Sequence, residues 1–208
     1  GSGSGNLAMK LLNLGYGVDC VIPSEFLAEQ VAVKLDNRSN IYICDFEKLD
    51  NPKKYDLILF SESFQYVKIS ESLNKIVKML NSSSHLLICD FFHRDISGKS
   101  PMGGGHSWNR FQEKVVNHPL SLITDIDITE ETSPTIDLFA KFNSDVVKPI
   151  AEKSDEYLFY NYPKITKLFK WKFKKRLDKI HNIYLSGNVN GEIFKQFKEY
   201  HLLIYEKK

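Results

Sequence analysis

The sequence predicts an α/β fold: a doubly wound, mostly parallel sheet, then a helical insertion, then one last strand. Three observations carry that reading. Short apolar or β-branched runs alternate with stretches of helical period from residue 7 to residue 128, the pattern of successive βαβ units. Residues 133–197 carry helical signals alone and are rich in aromatic and basic side chains. Residues 200–205 (YHLLIY) then read as a closing strand.

Taken in order, residues 7–14 form an apolar helical stretch stopped by Gly15, and residues 17–22 (GVDCVI) a short strand. Ser24 suits the cap of a helix over residues 25–35, because its hydroxyl can accept from an amide of the first turn that has no helical partner. Phe26, Leu27, Val31 and Leu35 fall at helical spacing behind it. Residues 41–44 (IYIC) and 55–60 (YDLILF) are further strands. Ser70 caps a helix with Leu73, Ile76, Val77 and Leu80 on one face. After a turn over residues 82–84, residues 85–89 (HLLIC) are almost continuously apolar, as expected of a strand covered on both faces. Residues 93–107 are loop, with Pro101 and the run Gly103-Gly104-Gly105-His106. Ser107 caps a helix from residue 108 to about residue 116, and residues 120–128 give another strand. The chain reads as one domain: a core over residues 1–132, the helical insertion over 133–197 and the last strand over 198–208.

Composition narrows the class. The 208 residues suffice for a proper core. The net charge of +2 sets up no strong field, so nucleic acid is not expected as a partner. Cys20, Cys44 and Cys89 lie in apolar runs without ligand spacing. They read as buried thiols of a reducing compartment, with no metal site. No apolar run approaches the roughly 20 residues that span a bilayer, and no signal peptide is evident, so a cytoplasmic location is expected.

In open parallel sheets, ligands bind beyond the carboxyl ends of the strands. The residues just after each strand are therefore the candidates. Gly1, Gly3 and Gly5 alternate immediately ahead of a helix. Glycine lets backbone approach a ligand closely, and a helix N-terminus offers unpaired amides and a positive dipole end. A flexible Gly/Ser linker has the same composition. After the strands come Ile22-Pro23-Ser24, Asp45-Phe46-Glu47, Ser61-Glu62-Ser63-Phe64-Gln65-Tyr66 and Asp90-Phe91-Phe92-His93. Polar and aromatic groups thus gather at one sheet edge, which suits an adenosine-type ligand.

These segments carry a resemblance. Gly1-x-Gly3-x-Gly5-Asn6-Leu7 resembles the glycine-rich first motif of class I S-adenosylmethionine-dependent methyltransferases of the small-molecule type. It does not fit the dinucleotide fingerprint G-x-G-x-x-G, since position 6 is Asn. Cys44-Asp45-Phe46 resembles that family's adenine-contacting turn, and residues 55–61 its fourth-strand motif. Met79-Leu80, the polar turn and Leu86-Leu87-Ile88 resemble the approach to its fifth strand. The helix-rich insertion before a last strand fits its reversed, antiparallel seventh strand. The resemblance implies a Rossmann-like sheet and S-adenosyl-L-methionine as cofactor. It implies cofactor contacts from Gly1, Gly3, Gly5, Asn6, Leu7, Ile22, Ser24, Asp45, Phe46, Ser61 and Glu62. Two departures stand out. The second strand ends in Ile22 where the family carries a ribose-binding acid, which leaves Ser24, backbone or water for that role. Asp19 lies on the opposite face of the strand. The family's first strand has no counterpart in these residues, and its absence predicts two neighbouring strands without hydrogen-bond partners, and low stability.

For chemistry, His106 beside three glycines is the first choice of general base and His93 the second, since imidazole titrates near neutral pH. Either can instead be a loop residue. Tyr66, Gly104 and Gly105 are candidate acceptor contacts. The expected reaction is methyl transfer to a small molecule, at oxygen. A non-catalytic methyltransferase-like scaffold is the alternative, favoured by Ile22 and the missing strand. A nicotinamide enzyme is disfavoured by Asn6 and Ile22. Residues 164–179 (KITKLFKWKFKKRLDK) interleave basic and apolar side chains. The favoured reading places positions 165, 168, 169 and 173 against the core, with peripheral membrane contact as the other reading. As a lid, the segment's aromatics would suit a bulky or apolar acceptor.

Overall fold

A computed structural model describes residues 1–51, 53–98 and 100–208. The chain divides into two compact units. The first holds residues 1–92, 105–126 and 200–208; the second holds residues 93–104 and 127–199.

The first unit contains the strands except for their end residues His93, Asp127, Lys198 and Glu199, which fall in the second. Helix α1 (Asn6–Asn13) follows the glycine segment, and β1 (Asp19–Val21) leads to α2 (Glu25–Lys34). Ser24 is the α2 cap, its hydroxyl accepting from the Leu27 amide at 3.4 Å. The buried face of α2 is narrower than its spacing suggested: Ala28 and Val31 are buried, with Leu35 just beyond, while Phe26 points to solvent. Next come β2 (Asn40–Tyr42), β3 (Tyr55–Ser61) and α3 (Ile69–Met79). Lys68, not Ser70, stands at the α3 N-cap. Strand β4 (Leu80–His93) starts earlier and runs longer than residues 85–89, because Ser83 at φ 57° kinks the chain without ending the strand. Its residues 84, 86, 88, 90 and 92 are buried and the alternate ones half-buried. Then follow β5 (His106–Ser107), α4 (Trp108–Val115) with Ser107 as its cap, β6 (Leu120–Asp127) and β7 (Lys198–Lys207).

The strands form two sheets. One pairs β1 with β2 in parallel; the other runs β3-β4-β7-β6, with β5 on β4. Strand β3 pairs β4 in parallel, with Leu57 opposite His85 and Ser61 opposite Cys89. Contacts between β4 and β7 join residue 93 to 198 and 89 to 200. The numbers change in opposite senses, so β7 is antiparallel, as the sequence predicts. Among the described residues, no ladder joins β1 to β3.

Side chains join the two sheets where the ladder does not. At the amino ends, the Asp19 carboxylate accepts from the Tyr55 hydroxyl (2.8 Å), Asn40 Nδ2 (2.8 Å) and Lys53 Nζ (3.0 Å). Burial works against ionising Asp19, but these hydrogen bonds outweigh it and hold the carboxyl below its ordinary value. Two apolar clusters lie behind the sheets. Ala8, Cys20, Ile22, Ala28, Val31 and Leu35 form the smaller. The larger is built around Phe60, Phe64, Leu73, Ile88, Phe92 and Phe111. All three cysteines are free; Cys20 is buried and the other two half-buried.

The second unit is helical. It contains α5 (Thr129–Phe142), α6 (Lys148–Asn161), α7 (Pro163–Ile180) and α8 (Gly191–Phe197), with π-type turns over residues 143–147 and 181–185. Helix α5 begins before residue 133 and runs through Pro134. Proline has no N–H for the carbonyl four residues back, and the Ser133 hydroxyl donates to that carbonyl, of Glu130, at 3.0 Å. Positions 165, 168 and 169 of α7 are exposed and 173 half-buried, against the expectation of a core-facing stripe. Thr166 is the buried residue of α7, its hydroxyl donating to the Leu158 and Tyr162 carbonyls.

Candidate functional site

The glycine segment bridges the carboxyl ends of β1 and β3. The Gly1 nitrogen donates to the Val21 carbonyl at the end of β1 (2.8 Å). On its other side Gly1 packs on Ser63, just past β3, so closely that a Cβ on Gly1 would lie 2.2 Å from the Ser63 Cβ. Gly3 adopts φ 52° with open space where a Cβ would stand. Gly5 adopts φ 77° at the α1 N-cap, a left-handed conformation that favours glycine. The segment forms a turn closed by the Gly5 amide on the Ser2 carbonyl (3.0 Å). The buried Ser2 and Ser63 hydroxyls flank it, with no hydrogen-bond partner among the described residues.

The next peptide along holds the candidate base. His106 Nε2 lies 3.0 Å from the Phe64 carbonyl oxygen, and the ring meets Phe64 edge-on at 5.7 Å. A carbonyl only accepts, so Nε2 carries a proton, and in the neutral ring Nδ1 holds the lone pair. Asp90, at 1% exposure, fixes the same turn from β4. Its carboxylate accepts from the Gln65 amide (3.0 Å) and the Phe91 amide (2.9 Å). Burial nevertheless pushes its carboxyl above the ordinary value, despite those amides. The Tyr200 hydroxyl donates to the Glu62 carboxylate (3.1 Å), and Glu62 takes φ 52°. Burial pushes the Tyr200 hydroxyl and the Cys89 thiol upward, so both stay protonated near neutral pH. Gly105, at φ 78°, passes against Phe91 just before His106.

Other sequence candidates lie differently. Asn6 is exposed and its side-chain oxygen accepts from Lys34; Leu7 is exposed. Ile22 is 3% exposed in the smaller cluster, so its side chain is core and only its backbone is offered to a ligand. Ser24 is occupied as a cap. Asp45 pairs with Lys48 at 2.7 Å on the surface, and Phe46 meets Phe60 edge-on at 5.0 Å. Phe60 in turn meets Phe64 at 5.3 Å, so an aromatic chain runs from the Asp45 turn to the ring beside His106. Ser61 ends β3, and Tyr66 is exposed rather than packed.

His93 belongs to the second unit, with Gly104. There Lys198, fully buried, donates from Nζ to His93 Nε2 (2.9 Å) and to the Gly103 and Gly104 carbonyls. Burial lowers the lysine to about 8. Burial and then the neighbouring ammonium depress His93, with Asp95 opposing them. Accepting from a lysine occupies the Nε2 lone pair that a base would use. The sequence reading missed Lys198, Tyr200 and Ser2, and named Asp90 and Ser63 only as members of the segments that follow strands. Their signal was position, just after a predicted strand.

No family model and no curated protein sequence matches the chain. Solved structures do match over its whole length. It aligns with the O-methyltransferase of a trans-AT polyketide synthase multienzyme of Brevibacillus brevis, solved with S-adenosyl-L-homocysteine, at 16% identity and TM-score 0.63, covering 100% of this chain and 64% of that one. It aligns with the geranyl diphosphate C-methyltransferase of Streptomyces coelicolor at 15% identity and TM-score 0.68, covering 100% and 70%. It aligns with the cyclopropane synthase MmaA2 of Mycobacterium tuberculosis at 12% identity and TM-score 0.69, covering 100% and 76%. The chain has the class I methyltransferase fold. It spans just under two thirds of the polyketide synthase O-methyltransferase. Within this methyltransferase fold, the glycine turn, Ser63, His106, Asp90 and the Glu62–Tyr200 pair all belong to the first unit. Among the described residues no cluster of His, Cys, Asp and Glu could hold a metal ion, and no helix is long and apolar enough to cross a membrane.

Proposed function

We propose that this chain binds S-adenosyl-L-methionine and transfers its methyl group to a small-molecule acceptor. The observation that carries the reading is the glycine turn across the carboxyl ends of β1 and β3, flanked by the Ser2 and Ser63 hydroxyls. The residues fit the cofactor. The amides opening α1 suit its carboxylate. The seryl hydroxyls offer two hydrogen bonds, Asp45 suits the adenine amino group, and Phe46 a flat ring face. When bound, the cofactor supplies a methyl group on a positively charged sulfur, a good electrophile without further activation. The protein's part is then position and proton removal. Ser63 seats the turn, Asp90 fixes the peptide that orients His106, and His106 Nδ1 takes a proton from the acceptor.

An oxygen acceptor is the finer reading, because a hydroxyl gains from a base at Nδ1. Calorimetry with S-adenosyl-L-homocysteine should give a single site of micromolar affinity, and no heat at millimolar ligand would sink the proposal. Once an acceptor is found, His106→Ala should lower kcat by about a hundredfold with the cofactor affinity unchanged. An equal kcat would remove His106 from the chemistry and leave positioning alone. One observation favours a second reading: the buried Ile22 leaves no carboxylate at the end of β1, which suits a methyltransferase-like scaffold without turnover. The same calorimetry separates the two.

A further inference from the structure

Helix α7 carries eight basic residues against one acidic residue, Asp178. The whole chain nets only +2, so positive charge is concentrated on this one element. All eight basic side chains are exposed. Lys170 is joined to Asp155 at 2.6 Å, and most of the charge remains on the surface. Between these residues stand apolar side chains that the fold leaves in solvent. Ile165 is 68% exposed, Leu168 62% and Trp171 77%. Ile165, Leu168 and Phe169 share one helix face at the i, i+3, i+4 spacing. Trp171, i+3 from Leu168 and i+4 from Lys167, borders that face on the side of Lys167. The preceding segment adds exposed Tyr160 and Tyr162. Large apolar groups rimmed by polar ones mark interaction surfaces rather than ordinary exposure.

We propose that α7 docks the protein onto an anionic lipid surface. Charge complementarity selects an anionic partner. The aliphatic side chains select a membrane over a nucleic acid: aromatic rings can stack on bases, but Ile165 and Leu168 gain nothing from phosphate or base edges and do gain from an acyl boundary. Lysine stems lie along apolar surface while their ammonium ends reach the headgroups, so Lys172, one turn on from Leu168 and Phe169, does not interrupt the apolar face. Tryptophan and tyrosine settle at the headgroup level, where one end is apolar and the other wet.

The test is sedimentation of the full chain with vesicles of phosphatidylcholine alone and of phosphatidylcholine mixed with phosphatidylglycerol. The expected result is binding to the mixed vesicles that falls as salt rises, with a blue shift of tryptophan fluorescence. Each lysine near an anionic surface contributes about fivefold in partitioning. The double variant Lys174→Gln, Lys175→Gln should therefore bind about 25-fold more weakly. Trp171→Phe should abolish the blue shift while retaining most of the binding. All three side chains are exposed, and unchanged circular dichroism confirms that each variant is folded. No binding to the mixed vesicles, or equal binding to both kinds, would overturn the proposal. So would preferential binding of duplex or single-stranded DNA in competition, or burial of Trp171 by self-association without lipid.

Discussion

Replacing Gly1 with alanine is expected to weaken S-adenosyl-L-homocysteine binding by about fivefold to 150-fold, the equivalent of the roughly 1–3 kcal/mol that overpacking costs. The new methyl carbon would sit 2.2 Å from the Ser63 Cβ, closer than any real contact, and 2.7 Å from its hydroxyl. Ser63 cannot step aside cheaply. Its carbonyl accepts from the Tyr66 amide (3.3 Å), and the next turn is held by Asp90. The glycine segment must therefore lift from the strand ends, and the two seryl hydroxyls lose their placement beside it. Adding Ser63→Gly removes the obstructing carbon and should recover much of the affinity, less the hydrogen bond of the deleted hydroxyl. Contacting residues give this coupling in a double-mutant cycle. Full affinity in Gly1→Ala alone would mean that the turn does not rest on Ser63 when ligand binds.

The second large effect is a stability that depends on Lys198. Its ammonium ionises at about 8 in the folded chain against an ordinary 10.5, because burial strips its water. The folded state thus binds fewer protons than the unfolded state between these values, so stability rises with pH across that window. The contribution is complete above the unfolded value and is lost as pH falls through about 8. Its size is about 3 kcal/mol. Lys198→Met has no such term, and exchanging a buried charge for an apolar side chain is often neutral or stabilising. Urea unfolding of both proteins from pH 7 to 10.5 should show the variant's relative stability falling by that amount. Taking the difference cancels the tyrosines that titrate in the same range. A constant difference across the window would refute the burial argument.

Local signals in the chain proved readable where one residue settles one backbone choice. Ser24 and Ser107 cap α2 and α4 because a hydroxyl before an apolar-periodic run has little else to do there. Gly5 opens α1 because the turn needs a positive φ. Spacing failed where burial depends on a partner element. The run holding Phe26 looks amphipathic, yet the cluster behind β1 admits small residues, Ala8 and Ala28, and leaves Phe26 outside. The α7 stripe failed for the same reason, since periodicity says which residues share a face and not what covers it. Ile22 could have been placed by alternation, as it lies two residues from Cys20 and shares its buried side. Lys198 and Tyr200 could not: their polar ends are satisfied by residues about a hundred positions away in sequence, His93 and Glu62 among them.

The break between the sheets has one more consequence. Strand β3 ends its sheet, so the seven residues Tyr55–Ser61 offer a row of backbone donors and acceptors to any extended chain that meets them. Leu57 is exposed along it, and no proline or bulge blunts the far half. Such an edge is a template for intermolecular strand addition. Lys53 and Lys54 stand at its entrance as charged gatekeepers. Association through β3 is therefore expected to compete with refolding as protein concentration rises.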